Sequence, residues 1–79
     1  MEGQTLYEIL KVPRTASVLD IKKAYREKAL LYHPDRNVQM GPSYAVTIGM
    51  EMRKINTAKD ILLDTARRQL YDRLLDTLG

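Results

Sequence analysis

The sequence predicts an all-α domain, an antiparallel hairpin of two long helices with a short helix before it and another after it. Two N-terminal helix signatures point that way. Thr5-Leu6-Tyr7-Glu8 and Ser17-Val18-Leu19-Asp20 have the spacing in which a hydroxyl caps a backbone N–H three residues on and the acid there reaches back to the capping residue. The third observation is periodicity. Apolar residues recur at three- and four-residue steps after Ser17 and again after Ile48, as one face of a helix requires. No segment reads as a convincing strand.

The first helix starts from Thr5 and reaches about Lys11, where Pro13 limits further extension. Ser17 caps the second, and Asp20 lies favourably in its positive first turn. That helix runs to about Tyr32. There His33 precedes Pro34, whose ring disfavours helical backbone in the residue before it, so His33-Pro34-Asp35 is expected in an exposed loop. Gly41-Pro42 is the strongest breaker of the following stretch, and a third helix is expected from near Ser43 to Leu63. Gly49 weakens its first turns by about 1 kcal/mol relative to alanine. Asp64 offers an N-cap for a last helix to about Leu75. No repeat, linker or low-complexity segment interrupts the 79 residues, and a chain of this length forms one small domain with a modest core.

Turning about 100° per residue from Ile21 groups Ala24, Tyr25, Lys28, Ala29, Leu31 and Tyr32 on one arc of the second helix. Lys22, Lys23, Arg26 and Leu30 fall on the far side. Lys28 is the misfit of the apolar arc and must carry its ammonium out to solvent along a buried stem. In the third helix Ile48, Met52, Ile55, Ala58 and Leu62 form the matching stripe. Joined by about ten residues, two such helices fold back on each other, and the His-Pro-Asp turn stands at the exposed end of the pair.

Composition excludes several chemistries. With no cysteine there is no disulfide, zinc-thiolate site or thiol nucleophile. With a single histidine, a metal site at His33 would have to be completed by carboxylates alone. A small helical hairpin offers His33 and Asp35 neither the concave pocket nor the positioned nucleophile of an acid–base site. No enzyme activity, cofactor or metal is therefore expected. Thirteen Lys and Arg against ten Asp and Glu leave a net charge of +3, which favours an acidic partner without demanding nucleic acid. No window approaches the roughly 20 apolar residues of a membrane span, and the start of the chain lacks the pattern of a secretory signal. The expectation is a soluble domain, cytoplasmic or nuclear, acting as a monomer without membrane contact.

Along nearly its whole length the chain resembles the J-domain of the DnaJ (heat-shock protein 40) co-chaperone family. The matching segments are LYEILKVPRTAS at 6–17, IKKAYREKALLYHPDRN at 21–37, KIN at 54–56 and RRQLYD at 67–72. His-Pro-Asp alone is weak evidence; after a Lys-Lys-Ala-Tyr-Arg helix and before Arg36-Asn37 it is a strong signature. The resemblance implies a co-chaperone that binds a heat-shock protein 70 (DnaK-type) chaperone and accelerates its ATP hydrolysis, promoting client capture. It also implies the residues. His33, Pro34 and Asp35 match the signature loop, with Asp35 pairing with an arginine of the chaperone, and Lys22, Lys23, Tyr25, Arg26, Arg36 and Asn37 match the basic docking surface. The 79 residues are then a single J-domain with a core of about 5–75, cut from a longer chain or a minimal member. The Gly/Phe-rich and Cys-rich segments of larger relatives are not in it.

The sequence departs from the family pattern at Lys11, where a glycine usually ends the first helix, at Lys28, usually apolar, and at Met52, usually phenylalanine. Glu27 and Leu31 replace basic residues, which leaves the docking face less positive. Two alternatives stay open at this point. A degenerate J-domain could serve as a structural or assembly contact, since fold alone does not fix function. A small DNA-binding helical module could use Lys22, Lys23 and Arg26 against phosphates, although base-reading side chains are sparse and the charge is low.

Overall fold

The computed structural model describes residues 4–32 and 41–78. His33, Pro34, Asp35, Arg36 and Asn37 lie outside the described residues, and so does the expected loop they form. Among the described residues there are four helices and no strand: α1 (Leu6–Leu10), α2 (Val18–Leu31), α3 (Gly41–Leu62) and α4 (Thr65–Leu78). Helices α2 and α3 pack as the antiparallel pair, α1 closes one side of it, and α4 lies against α3 and is bonded to α1.

Both capping boxes are formed. Glu8 N–H donates to Thr5 Oγ1 at 3.1 Å and Thr5 N–H to Glu8 Oε1 at 2.7 Å. Asp20 N–H donates to Ser17 Oγ at 3.1 Å, with the reciprocal bond from Ser17 N–H at 3.4 Å. Each reciprocal pair satisfies two donors that a helix start otherwise leaves open. Asp64 caps α4 as expected, its carboxylate accepting from Arg67 N–H at 3.0 Å. At the other end of α1, Lys11 takes the left-handed conformation (φ 57°, ψ 45°). A glycine adopts it without the Cβ penalty.

Helix α3 begins at Gly41, two residues before the expected Ser43, and passes through Gly49 without a break. Nothing lies within 4 Å of where a Gly49 Cβ would stand, so this glycine answers no packing need. Ile55, Ala58 and Leu62 of α3 are buried, and Met52 packs beside them. They meet Tyr7 and Leu10 of α1, Ala16, and Ile21 of α2 in one core. Burying side chains such as Leu10, Ile21, Ile55 and Leu62 stabilises the fold by about 1.5–3 kcal/mol each. Ala24, Tyr25, Ala29 and Tyr32 line this core from α2 as expected. Leu31 does not. It is 57% exposed, because at about 80° from Ile21 it stands on the rim of the arc, where a helix face turns to solvent. Lys28 is half-buried.

Helix α4 extends to Leu78, three residues past the expected Leu75. Its inner face is largely polar, and here a network ties the end of the chain to its beginning. Tyr7 O–H donates to Asp72 Oδ1 at 2.6 Å, and Leu6 N–H donates to the Tyr71 hydroxyl at 2.8 Å. Arg68 donates to the Tyr7 hydroxyl at 3.1 Å and to the carbonyls of Arg14 and Ala16 at 3.0 and 2.7 Å. Its guanidinium also lies 5.4 Å from the centroid of the Tyr7 ring. Outside this group Arg14 binds Asp76 at 2.8 Å and the Asp72 carbonyl at 2.9 Å. Burial, reinforced by the bond to Asp72, raises the pKa of the Tyr7 hydroxyl.

Candidate functional site

The candidate site begins on the outer side of α2. The helix is fixed at its start by the Ser17–Asp20 box and along its inner side by Ile21, so Lys22, Lys23 and Arg26 are turned outward, and all three are exposed. Among the described residues none of the three has an ion pair or a side-chain hydrogen bond. Their charge is therefore available to an acidic surface, which it would attract at long range and more strongly at low salt.

Tyr25 is placed differently from these three. It is half-buried, its hydroxyl donates to Asn56 Oδ1 at 2.7 Å, and the Lys59 ammonium lies 4.7 Å from the centre of its ring. An aromatic ring beneath an ammonium is held by the attraction of the positive charge for the ring face. Tyr25 thereby ties α2 to α3 and brings a cation of α3 to the edge of the α2 face. Sequence reading named Tyr25 but missed both of its partners. The only signal was KIN at 54–56, which contains Asn56.

Beside the basic face an open groove runs between α2 and the end of α1, lined among others by Leu10, Lys11, Lys23, Glu27, Lys28 and Leu31. The three positions at which α2 departs from the family pattern, Glu27, Lys28 and Leu31, all stand along it. The groove mixes lysines with Glu27 and Asp20, so it has no single sign of charge. Among the described residues no group of His, Cys, Asp or Glu is placed to hold a metal ion, and no helix is long and apolar enough to cross a membrane. His33, Pro34, Asp35, Arg36 and Asn37 follow Tyr32 directly in the chain, and the structure places none of them.

Comparison with known proteins gives the family. The DnaJ domain family matches residues 5–72. The chain belongs to that family. Its J-domain is 48% identical over 73 residues to the chaperone protein DnaJ of Wolinella succinogenes, covering 92% of this chain and 18% of that protein. It is 46% identical over 67 residues to the human DnaJ homolog subfamily B member 2, covering 85% of the chain and 19% of the relative. With the mouse DnaJ homolog subfamily C member 5B the figures are 45% over 71 residues, 90% and 33%. The chain thus spans a fifth to a third of the length of these relatives. The family is one of co-chaperones rather than of enzymes, and the four-helix, strand-free structure described above is that of a J-domain.

Proposed function

We propose that this J-domain binds a heat-shock protein 70 (DnaK-type) chaperone and stimulates its ATP hydrolysis. The observation that carries the reading is the exposed basic face of Lys22, Lys23 and Arg26, unpaired among the described residues, on a helix that His33-Pro34-Asp35 follows in the sequence of a member of the DnaJ domain family. In this reading the lysines and Arg26 steer the domain onto an acidic patch of the chaperone. Tyr25, held by Asn56 and Lys59, gives that face a rigid aromatic edge. Arg36 and Asn37 extend it beyond the motif.

Pro34 fixes its own φ and restricts His33, so Asp35 is presented with little ordering cost on binding. Asp35 pairs with an arginine of the chaperone. Cutting one end of such a buried pair typically costs 2–5 kcal/mol, or about two to three decades in affinity. The bond-breaking chemistry takes place in the chaperone's own nucleotide site, and the J-domain needs no cofactor. The domain acts as a monomeric module with a core of about residues 5–75, in the cytoplasm or nucleus, without binding nucleic acid or membrane through this surface.

The test is a single-turnover ATPase measurement with a heat-shock protein 70, comparing the chain with its His33→Gln variant. The expected result is acceleration by the chain and near-basal hydrolysis with the variant. Equal rates would overturn the proposal and leave the domain as a structural or assembly contact.

A further inference from the structure

The outward face of α4 takes no part in the fold or in the surface proposed above. Leu70, Leu74 and Leu78 recur every four residues along it and are 58%, 59% and 83% exposed. Residues four apart lie one above the other on a helix, so the three leucines form a single line about 12 Å long at 1.5 Å per residue. The side of α4 that carries Arg68 and Asp72, with Tyr71 and Leu75 at its edge, is engaged with the rest of the domain. The leucine line therefore faces away from the protein. Leucine at three successive turns of an exposed helix is more than the scattered apolar residue that any surface carries.

Charge decides what fits it. At about 100° per residue, Arg67 falls on one flank of the leucine line and Arg73 on the other. Both are exposed, and among the described residues neither guanidinium has a carboxylate partner. The acids of this helix lie elsewhere: Asp72 accepts from the Tyr7 hydroxyl, and Asp76 is bound by Arg14. A second copy of the chain is a poor occupant, because pairing through the leucines in either direction sets arginine against arginine. A bilayer is a poor occupant too. A helix lying in lipid needs a broad apolar face, and this one is a single leucine wide with cations on both sides. A narrow apolar line with unpaired arginines on both flanks complements a helix with leucines at matching spacing and acids beside them.

We propose that this face of α4 is a docking surface for an acidic amphipathic helix of a protein partner. The partner's apolar residues pack along Leu70, Leu74 and Leu78, and its carboxylates meet Arg67 and Arg73. The surface is separate from the basic face of α2, so both can be occupied at once.

The experiment uses the 79-residue chain, labelled for amide NMR, with a designed helical peptide that repeats leucine at four-residue spacing with glutamates on both flanks. A peptide of the same composition in scrambled order is the control. The expected result is shifts confined to residues 65–78. Binding should weaken about tenfold or more in Leu74→Gln, one decade being the scale of one leucine's burial, and should lose its salt dependence in Arg67→Gln/Arg73→Gln. Leu74 is exposed, so the variant stays folded, and unchanged shifts elsewhere check this. Equal binding of the scrambled peptide, shifts on Lys22, Lys23 and Arg26 instead, or insensitivity to Leu74→Gln would each overturn the proposal. So would Leu74-dependent dimerisation by sedimentation, which assigns the face to a second copy. Leu74-dependent binding to phosphatidylserine vesicles without peptide binding would assign it to lipid and equally overturn the proposal.

Discussion

The α1–α4 junction and the outer face of α2 are both rich in basic side chains, but the protein uses them in opposite ways. At the junction Arg68 and Arg14 turn their guanidinium groups onto the molecule's own carbonyls, carboxylates and a tyrosine. On α2 Lys22, Lys23 and Arg26 are exposed, and among the described residues no acid neutralises them. A cation satisfied inside the fold contributes to stability and is lost to a partner. One left in solvent adds little to stability and is free to meet an acidic surface. The contrast separates residues whose loss destabilises the domain from residues whose loss leaves it folded with less charge to offer a partner.

The largest effect is expected at the junction. Arg68→Ala removes one bond to a hydroxyl and two to carbonyls in the turn between α1 and α2. Charge-assisted bonds contribute about 1.5–3 kcal/mol and do not add fully when shared by one side chain, so a loss of about 2–4 kcal/mol is expected. For a domain of this size that lowers Tm by roughly 10–30 °C. Lys22→Ala, measured beside it, should move stability by no more than about 0.5 kcal/mol while reducing chaperone stimulation. Thermal melts of the two variants decide the matter: similar melting temperatures would break the contrast.

Lys11→Gly sharpens the contrast from the other direction, since it should change stability and leave function alone. Lys11 sits at φ 57°, a conformation that costs a residue with a Cβ about 1–2 kcal/mol. Glycine carries more entropy in the unfolded chain, which offsets part of that gain. A net stabilisation of about 0.5–1 kcal/mol is expected, read as a rise in the denaturation midpoint with an unchanged slope. ATPase stimulation should stay as it was. A destabilised Lys11→Gly would mean that the lysine side chain contributes more by packing along the groove than its backbone conformation costs.

Helix starts and the apolar core were legible in the sequence because they depend on neighbours three or four positions away. Thr5 with Glu8, Ser17 with Asp20, and the stripe Ile48, Ile55, Ala58, Leu62 all obey that short range. The junction was not legible. Arg68 reaches Tyr7, Arg14 and Ala16 from 52 to 61 positions away in the chain, and nothing in the local pattern marks it as other than a surface arginine. Leu31 misled for a related reason: on a helical wheel it joins the apolar arc, but only tertiary packing decides how far round the arc the core extends. The α2 candidates came from a combination of wheel and motif. Lys59 stayed hidden because its meeting with Tyr25 depends on how α3 is set against α2.

On the α2 side, Glu27→Lys is expected to act on function alone. Glu27 is exposed and has no ion pair among the described residues, so reversing its charge should shift stability by no more than about 0.5 kcal/mol. If it lies within reach of the chaperone, the added lysine raises the rate of encounter, and with it ATPase stimulation, by a few-fold at low salt, fading as ionic strength rises. Unchanged stimulation across salt concentrations would set the edge of the contact between Arg26 and Glu27.

The smallest effect should come from Asp76→Asn, which tests the exposed margin of the junction. The hydrogen bond from Arg14 lowers the Asp76 pKa below its ordinary 3.8. A depressed acid contributes stability that is present above its unfolded value and is lost as pH falls through the folded one. The wild-type advantage over Asp76→Asn should therefore be complete near neutral pH, shrink below pH 3.8 and vanish in stronger acid. Both groups are solvent-exposed, so water and salt screen the pair, and the advantage should also fall in high salt. Arg14 keeps its bond to the Asp72 carbonyl in the variant, which limits the loss further. Paired melts from neutral pH into acid measure the difference directly. If Asp76→Asn proved as damaging as Arg68→Ala, or if its effect ignored pH, the junction's strength would lie in its exposed ion pairs rather than in the part-buried reach of Arg68, and the division between internal and outward cations would have to be redrawn.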